Sequence, residues 1–347
     1  MDVFIAGAGW ITPLGAGLDE VWEAILSGAP APLRELPGPP GRTPHFAACV
    51  PPKLLDAVAR HPRLRRSSNI SLFAAGAALA ALRDAGLDPA APGNCALVFA
   101  VSDGGVIYTR KFYDQVVREG SGSPLLFPET VYNAPGSHIA ALLGLDGITY
   151  TLVGDASAGL AAVALGVQLI ESGAVEHCLV AGAAEADWVL CEAYRQWRLS
   201  SSSGAVEIGS NRGALIADGA AAIVLSRRGV CRVEAVSDGV PFFRQSEAGA
   251  SLLAALRQLP PASLSRVISS ANGTFVDRAE RSAIEAVFGE IPSIFPKVSL
   301  GDAFGAGALM QIICAVRSLR REPAGAILVP VVGLNQQAAA ALISRSL

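Results

Sequence analysis

Two short turns concentrate the residues that could carry chemistry. One is Asp155-Ala156-Ser157 and the other is Asp302-Ala303-Phe304. Each follows a strand-like segment and opens an apolar helix. A tight strand-to-helix turn gathers unpaired backbone N–H groups and the positive end of the helix dipole. A thiol placed there ionises readily and becomes a nucleophile. Two such turns facing each other would make an active site. Here neither turn holds a cysteine. Asp155 and Asp302 are expected to cap their helices by accepting backbone N–H bonds. Ser157 is the nearest hydroxyl, and a capping or helix-facing role is expected of it too.

The remaining reactive residues do not converge in the sequence. The six cysteines, Cys49, Cys95, Cys178, Cys191, Cys231 and Cys314, form no CxxC pair. No zinc site, redox motif or disulfide framework is indicated, and buried reduced thiols are expected. Of the four histidines, His45 falls in a loop-like stretch and His61 in a basic one. His138 falls in a helical stretch and His177 opens a strand. No Cys, Ser or Lys stands beside a His at either turn, so no triad is legible. Gly7-x-Gly9 lacks the third glycine and the downstream acid of a dinucleotide fingerprint. No metal and no cofactor are expected.

The elements that must position the two turns follow from hydrophobic periodicity. Strands are expected at 2–9, 95–102, 149–153, 177–182 and 220–226. Helices are expected at 18–27, 69–86, 131–144 and 156–170, and the Pro/Gly-rich stretch 28–46 is expected to be a loop. The second half repeats the scheme. It has strands at 231–236, 265–270 and 293–296, helices at 276–289 and 304–319, and a closing hairpin of 325–331 and 338–345. Strands apolar on both faces, alternating with helices, indicate α/β layers with mostly parallel strands. VGDASAGLAAVALGVQLIESG from Val153 is echoed by LGDAFGAGALMQIICAVRSLRR from Leu300, which indicates two related halves.

Composition excludes several classes. Apolar residues make up 51% of the 347 and charged residues 16%, which suits a chain that buries a large core. A net charge of −3 supplies no basic excess to neutralise phosphates, so no nucleic-acid partner is expected. The apolar run 156–170 is shorter than the roughly 20 residues a membrane span needs. A helix apolar on all sides suits the middle of a large core. The opening MDVFIAGAG has no basic n-region, so no secretory leader is expected and the cytoplasm is the default compartment.

Six ordered segments resemble one family. They are IAGAGWITPLG from Ile5, SPLLFPETVYNAPGSHIAALLGLDG from Ser123, ESGAVEHCLVAGAAE from Glu171, NRGALIADGAAAIVL from Asn211, ANGTFVDRAERSAIEAVFG from Ala271 and KVSLGDAFGAGA from Lys297. Over nearly its whole length the chain resembles the β-ketoacyl-ACP synthases on the thiolase fold. The resemblance implies an α/β architecture of two similar halves, 1–228 and 229–347, stacked as a five-layered α-β-α-β-α sandwich. It also implies a dimer.

The departures from the family pattern are concentrated in its reactive groups. The family cysteine that takes the acyl chain as a thioester falls at Ala156, and a methyl group cannot do this. The two family histidines that bind the thioester carbonyl and assist malonyl decarboxylation fall at Asn272 and Asp302. A family glutamate falls at Gln311. A carboxylate at Asp302 would repel a developing oxyanion. The closing GLNQQAAAAL from Gly333 has Asn335-Gln336 where the family has a glycine pair, so the gating and oxyanion-hole backbone also departs. His138 matches a family histidine that is not catalytic, and Lys297 matches a family lysine. Asp155, Ser157, Lys297, Val332 and Leu334 are the expected pocket residues.

The resulting expectation is a non-catalytic, chain-length-factor-like subunit of a type II fatty acid or polyketide system, of which aryl-polyene pathways are one setting. Its partner would be an active ketosynthase, or a second copy of this chain. Chain-length factors commonly carry glutamine at the lost cysteine, so Ala156 is a departure here as well. An acyltransferase or thioester hydrolase using Asp155, Ser157, Asn272 and Asp302 is the first alternative. A module that binds acyl chains or a carrier protein is the second. Arg60, Arg63, Arg65 and Arg66 form a basic patch that could dock an acidic acyl carrier protein or be only a solvated helix start. Core packing is expected for Trp188, Tyr194 and Trp197.

Overall fold

Runs of Val, Ile, Leu and Ala form strands buried on both faces, and helices rich in Ala and Gly cover them. The computed structural model describes residues 2–36, 38, 41, 44–201, 204–322 and 325–346. Ten strands carry the architecture. They are β1 (Phe4–Ile11), β2 (Cys95–Val101), β3 (Thr149–Val153), β4 (His177–Ala184), β5 (Gly219–Ser226), β6 (Cys231–Val236), β7 (Leu264–Ile268), β8 (Ser293–Ile294), β9 (Ala326–Val332) and β10 (Gln337–Arg345). A short strand, Val240–Pro241, adds to β10.

The two halves have the same plan. The first runs β3-β2-β4-β5-β1 and the second β8-β7-β9-β10-β6. Each order is third, second, fourth, fifth, first. In each half the first two neighbouring pairs are parallel and the last two antiparallel. The sheets are therefore mixed, which corrects the expectation of mostly parallel strands. Phe4 and Ile5 pair with Arg232 and Cys231, which joins the two arrays at β1 and β6.

Five helices complete the layers. α1 (Asn69–Asp84) covers the outer face of the first array, against β1, β4 and β5. α2 (Ala158–Glu171) and α5 (Phe304–Arg321) lie between the arrays. α3 (Ala248–Leu256) and α4 (Phe275–Phe288) cover the second array. The central pair approaches closely because its contact residues are small. A Cβ on Gly159 would strike the carbonyl of Gly305 and come within 2.8 Å of the Ala308 Cβ. This crossing brings together the start of α2 and the start of α5, the two turns marked by the sequence.

Three expectations change. Residues 28–46 do not form only a loop: Leu33–Leu36 and His45–Ala48 pair as an antiparallel hairpin, which places His45 in a strand. Helices at Val106–Glu119, Trp188–Gln196 and Ala248–Leu256 lay outside the periodicity reading. α2 is not buried all round, because Ala161 and Gln168 are exposed along one face and Leu165 is only half-buried. No helix among the described residues is long and apolar enough to cross a membrane.

The close crossing gives a direct test. Gly159→Ala is expected to lower the unfolding free energy by about 2 kcal/mol, since the added methyl must push two packed helices apart. Gly147→Ala, where nothing lies within 4 Å of the new Cβ, is expected to change it by less than about 0.5 kcal/mol. Urea unfolding measures both.

Candidate functional site

β3 ends at Val153 and α2 begins at Ala158, and Asp155 organises the residues between them. Its Oδ1 accepts the N–H of Ala156 at 2.8 Å. Its Oδ2 accepts the N–H groups of Asn335 at 3.0 Å and Gln336 at 2.9 Å, in the turn between β9 and β10. Asp155 is therefore a tie between turns and not a cap of α2, contrary to expectation. Gly333 is needed beside it, because a Cβ there would overlap the carboxylate. Ser157 occupies the N-cap position, yet its hydroxyl donates to Gln337 Oε1 at 2.9 Å and not into the helix. Asn335 Nδ2 donates to Tyr194 Oη at 3.1 Å. Ala156, Val332 and Leu334 are buried around this knot.

The second turn is built on a buried ion pair. Asp302 Oδ2 accepts Lys297 Nζ and Asn272 Nδ2, both at 2.8 Å. Its Oδ1 accepts the N–H of Phe304 at 3.0 Å, although the N-cap position itself is held by Ala303 and not by Asp302 as the sequence suggested. Lys297 and Asp302 are each almost wholly inaccessible. The carboxylate at 302 is therefore neutralised, whereas the sequence suggested a bare repulsive charge. Thr274 Oγ1 donates to Asn272 Oδ1 at 2.7 Å, and Asp277 Oδ1 accepts the N–H groups of Asn272 and Gly273. Phe304 sits at φ 49° and stacks on Tyr194 at 5.2 Å between ring centroids. Gln311 stands apart. Its Nε2 donates to the carbonyls of Ile268 and Pro330, tying β7 to β9.

The sequence reading missed Asp103. It follows the end of β2, and the parallel register Val101↔Val153 sets the residues after β2 beside those after β3. The signal was an acid just past a strand end, where α/β sheets place their ligand-binding residues. Asp103 Oδ2 is buried without a hydrogen-bond partner. Burial, followed by the nearby charges of Asp155 and Asp302, pushes its carboxyl up to about 6. Burial and the same three carboxylates push the Tyr194 hydroxyl well above its ordinary range. Asp103 and Asp155 thus add negative charge at the first turn, where a developing oxyanion would need donors or a cation.

No hydrogen bond described at either turn involves a cysteine or a histidine. All six thiols are buried and reduced. Burial pushes Cys49 and Cys191 up to about 12 and Cys95 and Cys231 up to about 11. His45 pairs with Glu192 at 3.1 Å and His138 with Glu129 at 2.5 Å. Burial opposes the Glu129 charge, but the bonds from His138 and Ser68 win and hold its carboxyl down at about 2. Tyr194 is buried as expected, whereas Trp197 is 58% exposed. A cavity of about 570 Å³ lies along α4 between Ile208 and Phe295, and Ala271 and Asp277 in its wall connect it to the network of the second turn.

A family model for the N-terminal domain of β-ketoacyl synthases matches residues 1–229. The chain belongs to the β-ketoacyl synthase family. No curated protein matches it. Among solved structures, the ishigamide ketosynthase/chain length factor is 18% identical over 99% of both chains, with a TM-score of 0.83. A β-ketoacyl synthase from Burkholderia phymatum STM815 is 18% identical over 100% of both chains, with a TM-score of 0.83. The AntDE:AntF complex of a type II polyketide acyl-carrier protein with its ketosynthase is matched at 15% identity, covering 100% of this chain and 99% of that one, with a TM-score of 0.81. The fold is thus that of the thiolase-like ketosynthases.

Two substitutions probe the site. Lys297→Met leaves a buried uncompensated carboxylate and is expected to cost about 3–5 kcal/mol of stability. Adding Asp302→Asn is expected to recover most of that loss in denaturant melts. Asp103→Asn is expected to stabilise the fold. The Asp103 carboxyl titrates higher folded than unfolded, so stability falls as pH rises from about 4 to about 6. The gain from Asp103→Asn should therefore grow across that window and level off above it, at about 3 kcal/mol or less.

Proposed function

We propose that this chain is a non-catalytic ketosynthase-like subunit of a type II fatty acid or polyketide system. It pairs with an active ketosynthase and helps to shape the acyl pocket across the interface. The observation that carries the reading is Ala156, a methyl group at the position from which the family's thiol attacks. Asn272 and Asp302, at the two family histidine positions, are bonded to each other and to Lys297.

Pairing is supported by a face the chain leaves uncovered. β3 is the edge strand of the first array, and Tyr150 and Val153 on it are 47% and 55% exposed. An unpaired edge strand is a template for another chain. The open face of α2 lies beside it. The neighbouring helix Val106–Glu119 and the turn after it expose Tyr113, Val117, Leu125 and Phe127. An apolar surface of this kind marks an interaction site. A lone acyl-binding module would leave it in water, which favours a subunit over that alternative.

The acyltransferase or hydrolase alternative needs a nucleophile and a base. Ser157 is committed to Gln337, and the carboxylates of Asp155 and Asp302 are tied to other donors. Arg60, Arg63, Arg65 and Arg66 are all exposed, and we assign to them the docking of an acidic carrier protein. The repeated strand order supports a boundary between the halves at 228/229, and the cytoplasm is the compartment we propose.

Co-expression with a ketosynthase encoded beside it, followed by native mass spectrometry, tests the pairing. A one-to-one heterodimer is expected, with acyl adducts on the partner alone after incubation with acyl carrier protein and malonyl donor. A stable homodimer that ignores such partners, or elongation by this chain alone, would refute the proposal.

A further inference from the structure

The hydrogen bonds of Asp155 have a consequence beyond the missing thiol. The N–H of Ala156 lies at the start of a central helix, where backbone donors and the helix dipole favour an anionic oxygen. The N–H groups of Asn335 and Gln336 approach from the opposite turn. One carboxylate takes all three, at 2.8, 3.0 and 2.9 Å. The same turn is held at further points. Ser157 donates to Gln337, Asn335 donates to Tyr194, Gly333 N–H donates to the Gln337 carbonyl at 2.9 Å, and Phe242 N–H donates to the Gln336 carbonyl at 2.7 Å. Gly333 has no Cβ to keep the carboxylate away.

We propose that Asp155 is an internal latch. Its carboxylate bridges the N–H of Ala156, through Oδ1, to those of Asn335 and Gln336, through Oδ2, and so holds the 333–337 turn closed over residue 156. Acyl chemistry is thereby blocked twice, once by the methyl of Ala156 and once by the turn held over it. The latch does not depend on a partner subunit. It predicts that a thiol at position 156 is insufficient by itself.

Two other acids lie near the latch. Asp103 and Asp302 face the same region, and only Asp302 has a cation beside it. Three N–H bonds hold the Asp155 carboxylate in place beside the Asp103 carboxyl.

Two measurements test this. Hydrogen–deuterium exchange of the intact protein reads the turn directly. The amides of Asn335 and Gln336 are expected to be protected in the parent chain and to exchange at least tenfold faster in Asp155→Asn, which keeps the shape of the side chain. Octanoyl-N-acetylcysteamine serves as acyl donor, with the adduct followed by intact mass. Ala156→Cys alone is expected to acylate at least tenfold more slowly than Ala156→Cys combined with Asp155→Asn. Unprotected Asn335 and Gln336 amides in the parent, or equal acylation of the single and double variants, would overturn the latch. Acylation of the parent chain would instead overturn the non-catalytic reading, so the two failures are distinguishable.

Discussion

Taking a carboxylate out of water is costly unless donors or a cation replace the water, and this chain does so at two equivalent turns. Asp302 receives an ammonium, an amide and a backbone N–H. Asp155 receives three backbone N–H groups. Once the two acids are buried, the surrounding groups have partners, and the turns become structural knots. Asp103 is the exception, with one oxygen lacking a partner and a carboxyl pushed toward neutrality.

The scaffold that makes this possible is a pair of central helices in close approach. Gly159 against Gly305 and Ala308 lets the starts of α2 and α5 meet. The two arrays have the same strand order, so Asp155 and Asp302 emerge at corresponding places in their halves. The first half differs from the second in what it leaves open. β3 and one face of α2 lack cover, whereas α5 is buried along most of its length. The two similar halves of the family's architecture are thus used asymmetrically.

Much of this was legible in the residues themselves. Apolar runs marked nearly all the long strands, and the Gly-Asp-Ala echo marked both turns. Ala156 needed no coordinates, because a methyl group has the same chemistry in any fold. Other features were hidden for physical reasons. The hairpin at Leu33–Leu36 and His45–Ala48 lies in a Pro/Gly-rich stretch whose local preferences favour a loop, and long-range pairing overrides them. The amphipathic helix Val106–Glu119 has no fully buried residue, and its apolar residues are interleaved with charged ones, so it did not read as core.

The sequence by itself determined the alternation of elements, the two-half plan and the absence of a thiol at position 156, since these follow from periodicity and side-chain chemistry along the chain. Only the tertiary structure decided what the acids do. Asp155 bonds to residues about 180 positions away, and Asp302 gains Asn272 from 30 positions away. A carboxylate looks the same in sequence whether it caps a helix, repels an oxyanion or latches a turn. Its role is set by which donors the fold brings within hydrogen-bond distance, and that is a property of the packed chain.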